Sequence, residues 1–238
     1  MWFVVRFDAE VRALAVAKVA ALEPKPRERK WSSLTACVID AVWSINADYD
    51  TVVAPGTRAL IETLAPGVDP LVESGDFSSP DPAPLTLLLA RCPDERSLAD
   101  QMNWQVTSTR TKKRKADAAL QYARILVEYG IDTRHHAHAV LLDDERFAQV
   151  DSALRRVHGE GASGVRRNYM WMLVGDDDGV KPDRMLLRWF AKEVGVTGTQ
   201  EQVRDWVRLI AADITATSGH SVTPWSIDHA IWSMIRKR

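Results

Sequence analysis

The apolar positions of this chain recur at helical spacing almost from end to end. Ala9 to Leu22 is alanine-rich and reads as a helix stopped by Pro24 and Pro26. Leu34, Cys37, Val38, Ala41, Val42 and Ile45 mark a second helix over Leu34 to Ile45, with Ser32 or Ser33 as its cap. Thr57 to Leu64 is a third, ended by Pro66-Gly67. Ser74 to Pro84 carries three prolines and no period, which predicts a loop, and Leu85 to Arg91 is a short apolar helix or buried run. Ala116, Ala119, Leu120, Ala123, Leu126 and Val127 share one face of a helix closed by Tyr129-Gly130.

The C-terminal third continues in the same way. A helical run entering at Val150 ends in a small turn, Gly159-Glu160-Gly161-Ala162-Ser163-Gly164. A second runs from Val165 to about Leu173, and Asp183 opens a third after an acidic break. Val203, Trp206, Val207, Ile210, Ala211 and Ile214 form an apolar stripe. The last helix has Thr223 as N-cap, Pro224 at its first position, and Ile227, Ala230, Ile231, Met234 and Ile235 on its core face. The only strand candidate is Met1 to Phe7, and no repeat of fixed period occurs. The pattern predicts an all-α protein.

With 238 residues, 46% of them apolar, the chain is long enough for one large domain or two small ones. No apolar run is long enough for a bilayer. Acid at Asp8 comes too early for a secretory leader, so a cytoplasmic protein is expected. Two cysteines, Cys37 and Cys92, cannot build a four-cysteine metal site. His135, His136 and His138 lack a further ligand set, and Asp176-Asp177-Asp178-Gly179 lacks the later ligands of a calcium loop, so no metal is assigned.

Net charge is −1, yet its distribution is uneven. Arg110 to Lys115 holds five basic residues in six, and Arg155-Arg156, Arg166-Arg167 and Arg236 to Arg238 add further clusters. The acids gather elsewhere, so a neutral total can hide one positive face. Each run is equally what a solvated surface would show.

The order of these segments resembles the helix–hairpin–helix DNA glycosylase superfamily, in its endonuclease III-like form. Leu34 to Asp48 is similar to the early helix whose polar loop enters the duplex. Arg114 to Gly130 is similar to the Lys-Ala helix before the hairpin, Gly159 to Arg167 to the hairpin, and Asp183 followed by Arg188 to the catalytic segment. Gly164 and Asp183 lie 19 positions apart, close to the family's gap. The resemblance covers about two thirds of the chain. It departs at the hairpin, which has no proline and a different glycine spacing, and in lacking the cysteines of an iron–sulfur cluster. Met185 stands where the family has histidine. Arg166 and Arg167 stand where bifunctional members carry a lysine nucleophile, so no strand-cleaving lyase activity is expected.

The resemblance implies two helical lobes, 31–174 ending in the helix–hairpin–helix element, and 1–30 with 175–238, with DNA in the cleft between them. It implies a monomeric, monofunctional glycosylase of double-stranded DNA that leaves an abasic site and uses no cofactor, with room at the hairpin for a monovalent cation. The divergent hairpin and aromatic content suggest a bulky base, such as a hypermodified phage cytosine removed as antiviral defence. Asp183 is the catalytic candidate, since an ionised carboxylate stabilises the cationic sugar; it also suits a helix N-cap. Asn46 matches the position of the plug that fills the gap left by a flipped base, or caps its helix. Gly159, Gly161, Gly164, Arg166, Arg167, Lys112, Lys113, Lys115 and Arg188 are the expected DNA contacts. Trp43, Tyr49, Tyr169 and Trp171 are base-pocket candidates, with Trp104 and Trp189 also beside these segments. Any of them can equally be core. The alternative is a helical DNA-binding or protein-interaction module without catalysis.

Overall fold

The computed structural model describes residues 7–76, 78–108 and 112–236. Residues 1–6 of the strand candidate Met1 to Phe7, Arg110 of the basic run, and residues 237–238 of the basic tail lie outside them. The chain is mostly helical. In order it forms α1 (Ala9–Ala20), β1 (Arg29–Trp31), α2 (Leu34–Trp43), a π-helical turn (Tyr49–Val53), α3 (Ala54–Leu64) and β2 (Leu71–Glu73). Then follow α4 (Leu85–Arg91), α5 (Glu95–Gln101), α6 (Lys115–Glu128), α7 (Arg134–Leu141), α8 (Asp144–Leu154) and α9 (Val165–Val174). Last come α10 (Arg184–Trp189), a π-helical turn (Phe190–Val194), α11 (Gln200–Ser218) and α12 (Pro224–Arg236).

Two features depart from the expected pattern. β1 and β2 pair antiparallel, Lys30 opposite Val72, in a sheet of two three-residue strands. Helices α5 and α7 occupy stretches with no long apolar stripe. Asp94 and Ser97 close a capping box on α5, and Thr133 caps α7, so local hydrogen bonds start helices too short to show a period.

The chain divides into two compact units, Glu28–Gly175 and Met1–Arg27 with Asp176–Arg238. The first is built around α2, every residue of which is buried, and which packs against α9, α6 and α3. A helix apolar on all sides belongs at a centre. Ser33 caps it through the Ala36 amide, and the Asp40 carboxylate, on its buried face, accepts from the Trp31 indole at 2.8 Å. Trp43, Trp171 and Tyr122 are the largest side chains fully buried there. The second unit packs α1, α10, α11 and α12 around Phe190 and Trp206, with the Phe7 ring stacked 4.7 Å from Trp206. Thr199 and Gln202 form the capping box of α11.

Candidate nucleic-acid interface

Between α8 and α9 the chain reverses through two glycines in the left-handed region, Gly159 (φ 77°) and Gly164 (φ 64°). Neither can carry a side chain. A Cβ at Gly159 would lie 2.5 Å from Thr107 Cβ and 3.0 Å from the Arg166 guanidinium, and one at Gly164 would lie 2.5 Å from Arg167 Nη2. Arg166 and Arg167 were expected at a DNA backbone. Instead they are 2% and 5% exposed and hold the turn from within. Arg166 donates to the main-chain carbonyls of His158 and Gly159, both at 3.0 Å. Arg167 pairs with Asp151 at 2.8 Å and with Glu160 at 3.3 Å. Glu160 also accepts the Tyr122 hydroxyl, whose pKa burial and that carboxylate push far up. Guanidinium groups tolerate such sites because each finds a carboxylate or carbonyl partner.

This leaves donors at the turn. Among the described residues the main-chain N–H groups of Gly161, Ala162, Val165 and Arg166 make no hydrogen bond, and α9 has no side-chain cap. Free amides at a helix N-terminus suit an anion. Gly161 differs from the other two glycines: its φ is not positive, and a Cβ there would meet only Ser163 Oγ, at 4.0 Å.

The basic run lies beside this turn. Thr107 N–H donates to Lys113 O at 2.7 Å and Lys115 N–H to Gln105 O at 2.9 Å, folding the segment between α5 and α6 back on itself. Lys112 and Lys113 are exposed, and Thr107 packs on Gly159. Lys115, also expected at DNA, points inward and is 2% exposed. Its ammonium donates to Trp43 O at 2.8 Å, Ile45 O at 2.6 Å and Gln105 Oε1 at 2.8 Å. Burial, with the Arg166 charge nearby, pushes its pKa down to about 8. The last carbonyls of α2 are thereby tied to the basic loop. Asn46, exposed and left-handed at φ 54°, sits in the turn those bonds anchor. The structure thus brings together the Asn46 turn, Lys112, Lys113 and the glycine turn, linked through Lys115, Gln105 and Thr107.

The base-pocket candidates separate by burial. Trp43 is fully buried with its indole on Asn103 Oδ1 at 3.0 Å, and Trp171 is 1% exposed, tilted on Phe147. Both are core, because the apolar volume around α2 claims them. Tyr49 is half-buried with its hydroxyl on Asp40 at 3.0 Å, and Tyr169 is half-buried. Trp189 is core of the other unit. Among the described residues the exposed indole is Trp104, at 47%, on the basic loop, with the Arg114 guanidinium 5.1 Å from its ring. No local pattern distinguished it from the buried tryptophans.

In the other unit, Asp183 caps α10. Its Oδ1 accepts from Met185 N–H at 2.8 Å and Leu186 N–H at 3.2 Å, while its half-exposed carboxylate has no other hydrogen bond or ion pair among the described residues. The preceding loop is held by two side chains. Asp228 Oδ2 accepts from Lys181 N–H at 2.6 Å, and Gln200 donates to Pro182 O at 2.9 Å. Asp228 is 9% exposed; burial first, and the Asp183 charge after it, push its carboxyl up to about 7. Sequence reasoning missed Asp228; the signal was an acid beside Ile227, on the core side of α12. Arg188 is exposed on α10. Among the described residues no group of three or more His, Cys, Asp or Glu side chains is arranged to hold a metal ion, and no helix is long and apolar enough to cross a membrane.

No curated protein and no solved structure matches this chain. One family model matches residues 9–236, and on that match the chain belongs to the family described as a domain of unknown function, DUF8548.

Proposed function

We propose that this protein is a monofunctional DNA glycosylase of helix–hairpin–helix type, acting on a modified base in double-stranded DNA. The observation that carries the reading is the turn from Gly159 to Arg166. Four unpaired amides lie there over buried guanidinium groups, beside an exposed lysine pair and an exposed asparagine turn. Such a surface suits a phosphodiester: amides and cations offer donors, the phosphate offers acceptors, and contacts of this kind are indifferent to sequence. Asn46 is the candidate plug for the space a flipped nucleotide vacates.

Asp183 supplies the chemistry in this reading. Water adds to C1′ of the deoxyribose, the bond from C1′ to the base breaks, and the base leaves with the bonding pair and takes up a proton. The sugar carries positive charge in the transition state, and an ionised carboxylate beside C1′ lowers that barrier. Capping α10 uses Oδ1 of Asp183 and leaves the other oxygen for this task. No lysine nucleophile follows the hairpin, so the product is an abasic site and an intact strand. A bulky hypermodified cytosine of phage DNA is the substrate class we favour, which would make the activity antiviral.

The test is release of free base, and of alkali-labile sites, from a panel of damaged and phage-modified DNAs. Wild type is expected to act on at least one member and Asp183→Asn to lose that activity while binding the same DNA equally well. Binding without release from any substrate would favour the second reading, a module that grips DNA and does no chemistry. Absence of binding at low salt would end both.

A further inference from the structure

The fold family to which the hairpin is likened implies a monovalent cation held by the turn's carbonyl oxygens, and here five carbonyl oxygens of the turn and its flanks already accept hydrogen bonds. Hard cations need oxygen acceptors. In this turn Val157 O accepts from Glu160 N–H, Gly161 O from Gly164 N–H, and Gly164 O from Asn168 N–H. His158 O and Gly159 O accept from the two terminal nitrogens of Arg166. Donors, by contrast, are in surplus: four main-chain amides are unpaired, and the buried Nε of Arg166 has no acceptor. The charges agree. Arg166 and Arg167 are buried here against the carboxylates of Glu160 and Asp151, Arg155 also pairs with Asp151, and the buried Lys115 ammonium bears on Arg166, so four cations face two carboxylates. A further cation would meet repulsion and few ligands, whereas an anion would meet neither.

We propose that the Arg166 guanidinium is the hairpin's resident cation, so that the turn binds a DNA phosphate without any metal ion. The inference rests on reading the turn as a phosphate clamp. Arg166 fixes the carbonyls of His158 and Gly159, which keeps Gly159 left-handed and leaves the amides of Gly161, Ala162, Val165 and Arg166 unpaired. The glycine is obligatory for the same reason, because its missing side chain is where the guanidinium and Thr107 approach.

Two measurements test this on the full chain. The first is binding of a fluorescein-labelled duplex after removal of metal ions, at one ionic strength, in potassium, sodium, lithium or N-methylglucamine chloride. Affinities within about twofold across the four salts are expected, and a loss of about tenfold or more in N-methylglucamine overturns the proposal. The second needs no DNA: hydrogen exchange of the amides at 159–167 in potassium against N-methylglucamine. Equal protection is expected, and protection that requires potassium overturns it. Arg166→Gln should weaken duplex binding about tenfold or more whichever cation is present; unchanged binding would also overturn the proposal. If wild type binds no duplex in any salt, the glycosylase reading itself falls, while the exchange experiment still decides whether the turn needs an ion.

Discussion

Replacing Gly159 and Gly161 by alanine, one at a time, separates architecture from contact within a single turn. At Gly159 the new methyl has no room. An L-residue at φ 77° costs about 1 kcal/mol, and the Cβ would stand 2.5 Å from Thr107 Cβ, an atom next to its own backbone and unable to swing away. Relieving that overlap means moving the basic loop, an overpacking penalty of about 1–3 kcal/mol. The sum is roughly 2–4 kcal/mol. For a protein of this size, that lowers the melting temperature by roughly 4–16 °C. At Gly161 the φ is not positive and the nearest atom is 4.0 Å away, so a change within about 0.5 kcal/mol is expected. Thermal melting followed by far-ultraviolet circular dichroism, with hydrogen exchange at 159–167 to localise the effect, makes the comparison. Equal stabilities for the two variants, or a Gly161→Ala melting point that falls as far as that of Gly159→Ala, would refute the account of how this turn is held.

Three further outcomes follow from the geometry. Lys115→Met strips donors from Trp43 O, Ile45 O and Gln105 Oε1 and should destabilise the chain by about 2–4 kcal/mol. The folded chain releases this proton near pH 8 and the unfolded chain near 10.5, so stability from Lys115 rises across that window. In urea unfolding, the gap between wild type and the methionine variant should therefore widen with pH. Asp228→Asn keeps an acceptor for Lys181 N–H but cannot ionise. Wild-type Asp228, with its pKa raised from 3.8 to about 7, holds its proton when folded, so it loses stability as pH climbs through that interval. The asparagine variant should gain on wild type between pH 4 and 8, by at most about 4 kcal/mol, and a constant difference would contradict this. Trp104→Ala should leave the melting point within about 1 °C, since the ring is exposed, yet weaken duplex binding several-fold through loss of stacking; unaltered affinity would remove Trp104 from the interface.

Helices were legible where burial is decided by local periodicity. The largely apolar run of α2 and the stripes of α6, α11 and α12 show in the sequence because one face, or every face, meets the core. Strands of three residues have no room for alternation, so Arg29–Trp31 and Leu71–Glu73 did not show. In the candidate site, charge was legible and direction was not. Arg166 and Arg167 look like surface cations until their acceptors are known, and Glu160, Asp151 and the His158 carbonyl are brought to them only by the closing of the turn. Lys115 begins α6 as the last basic residue of its run, and nothing local says that the end of α2 will arrive beside it. Among the tryptophans, burial depends on distant packing, which left Trp43 and Trp104 alike on paper.

Because the turn is braced by side chains beneath it, its tip and its base should drift at different rates among relatives. Positions 161 and 162, both exposed, can be exchanged one at a time. Tyr122, Asp151, Glu160 and Arg167 form a linked set in which losing one weakens the pairing of the others in the interior, so they should be inherited together or replaced together. Homologues that carry Arg167 but have an aliphatic residue at both acidic positions would show that the brace is dispensable.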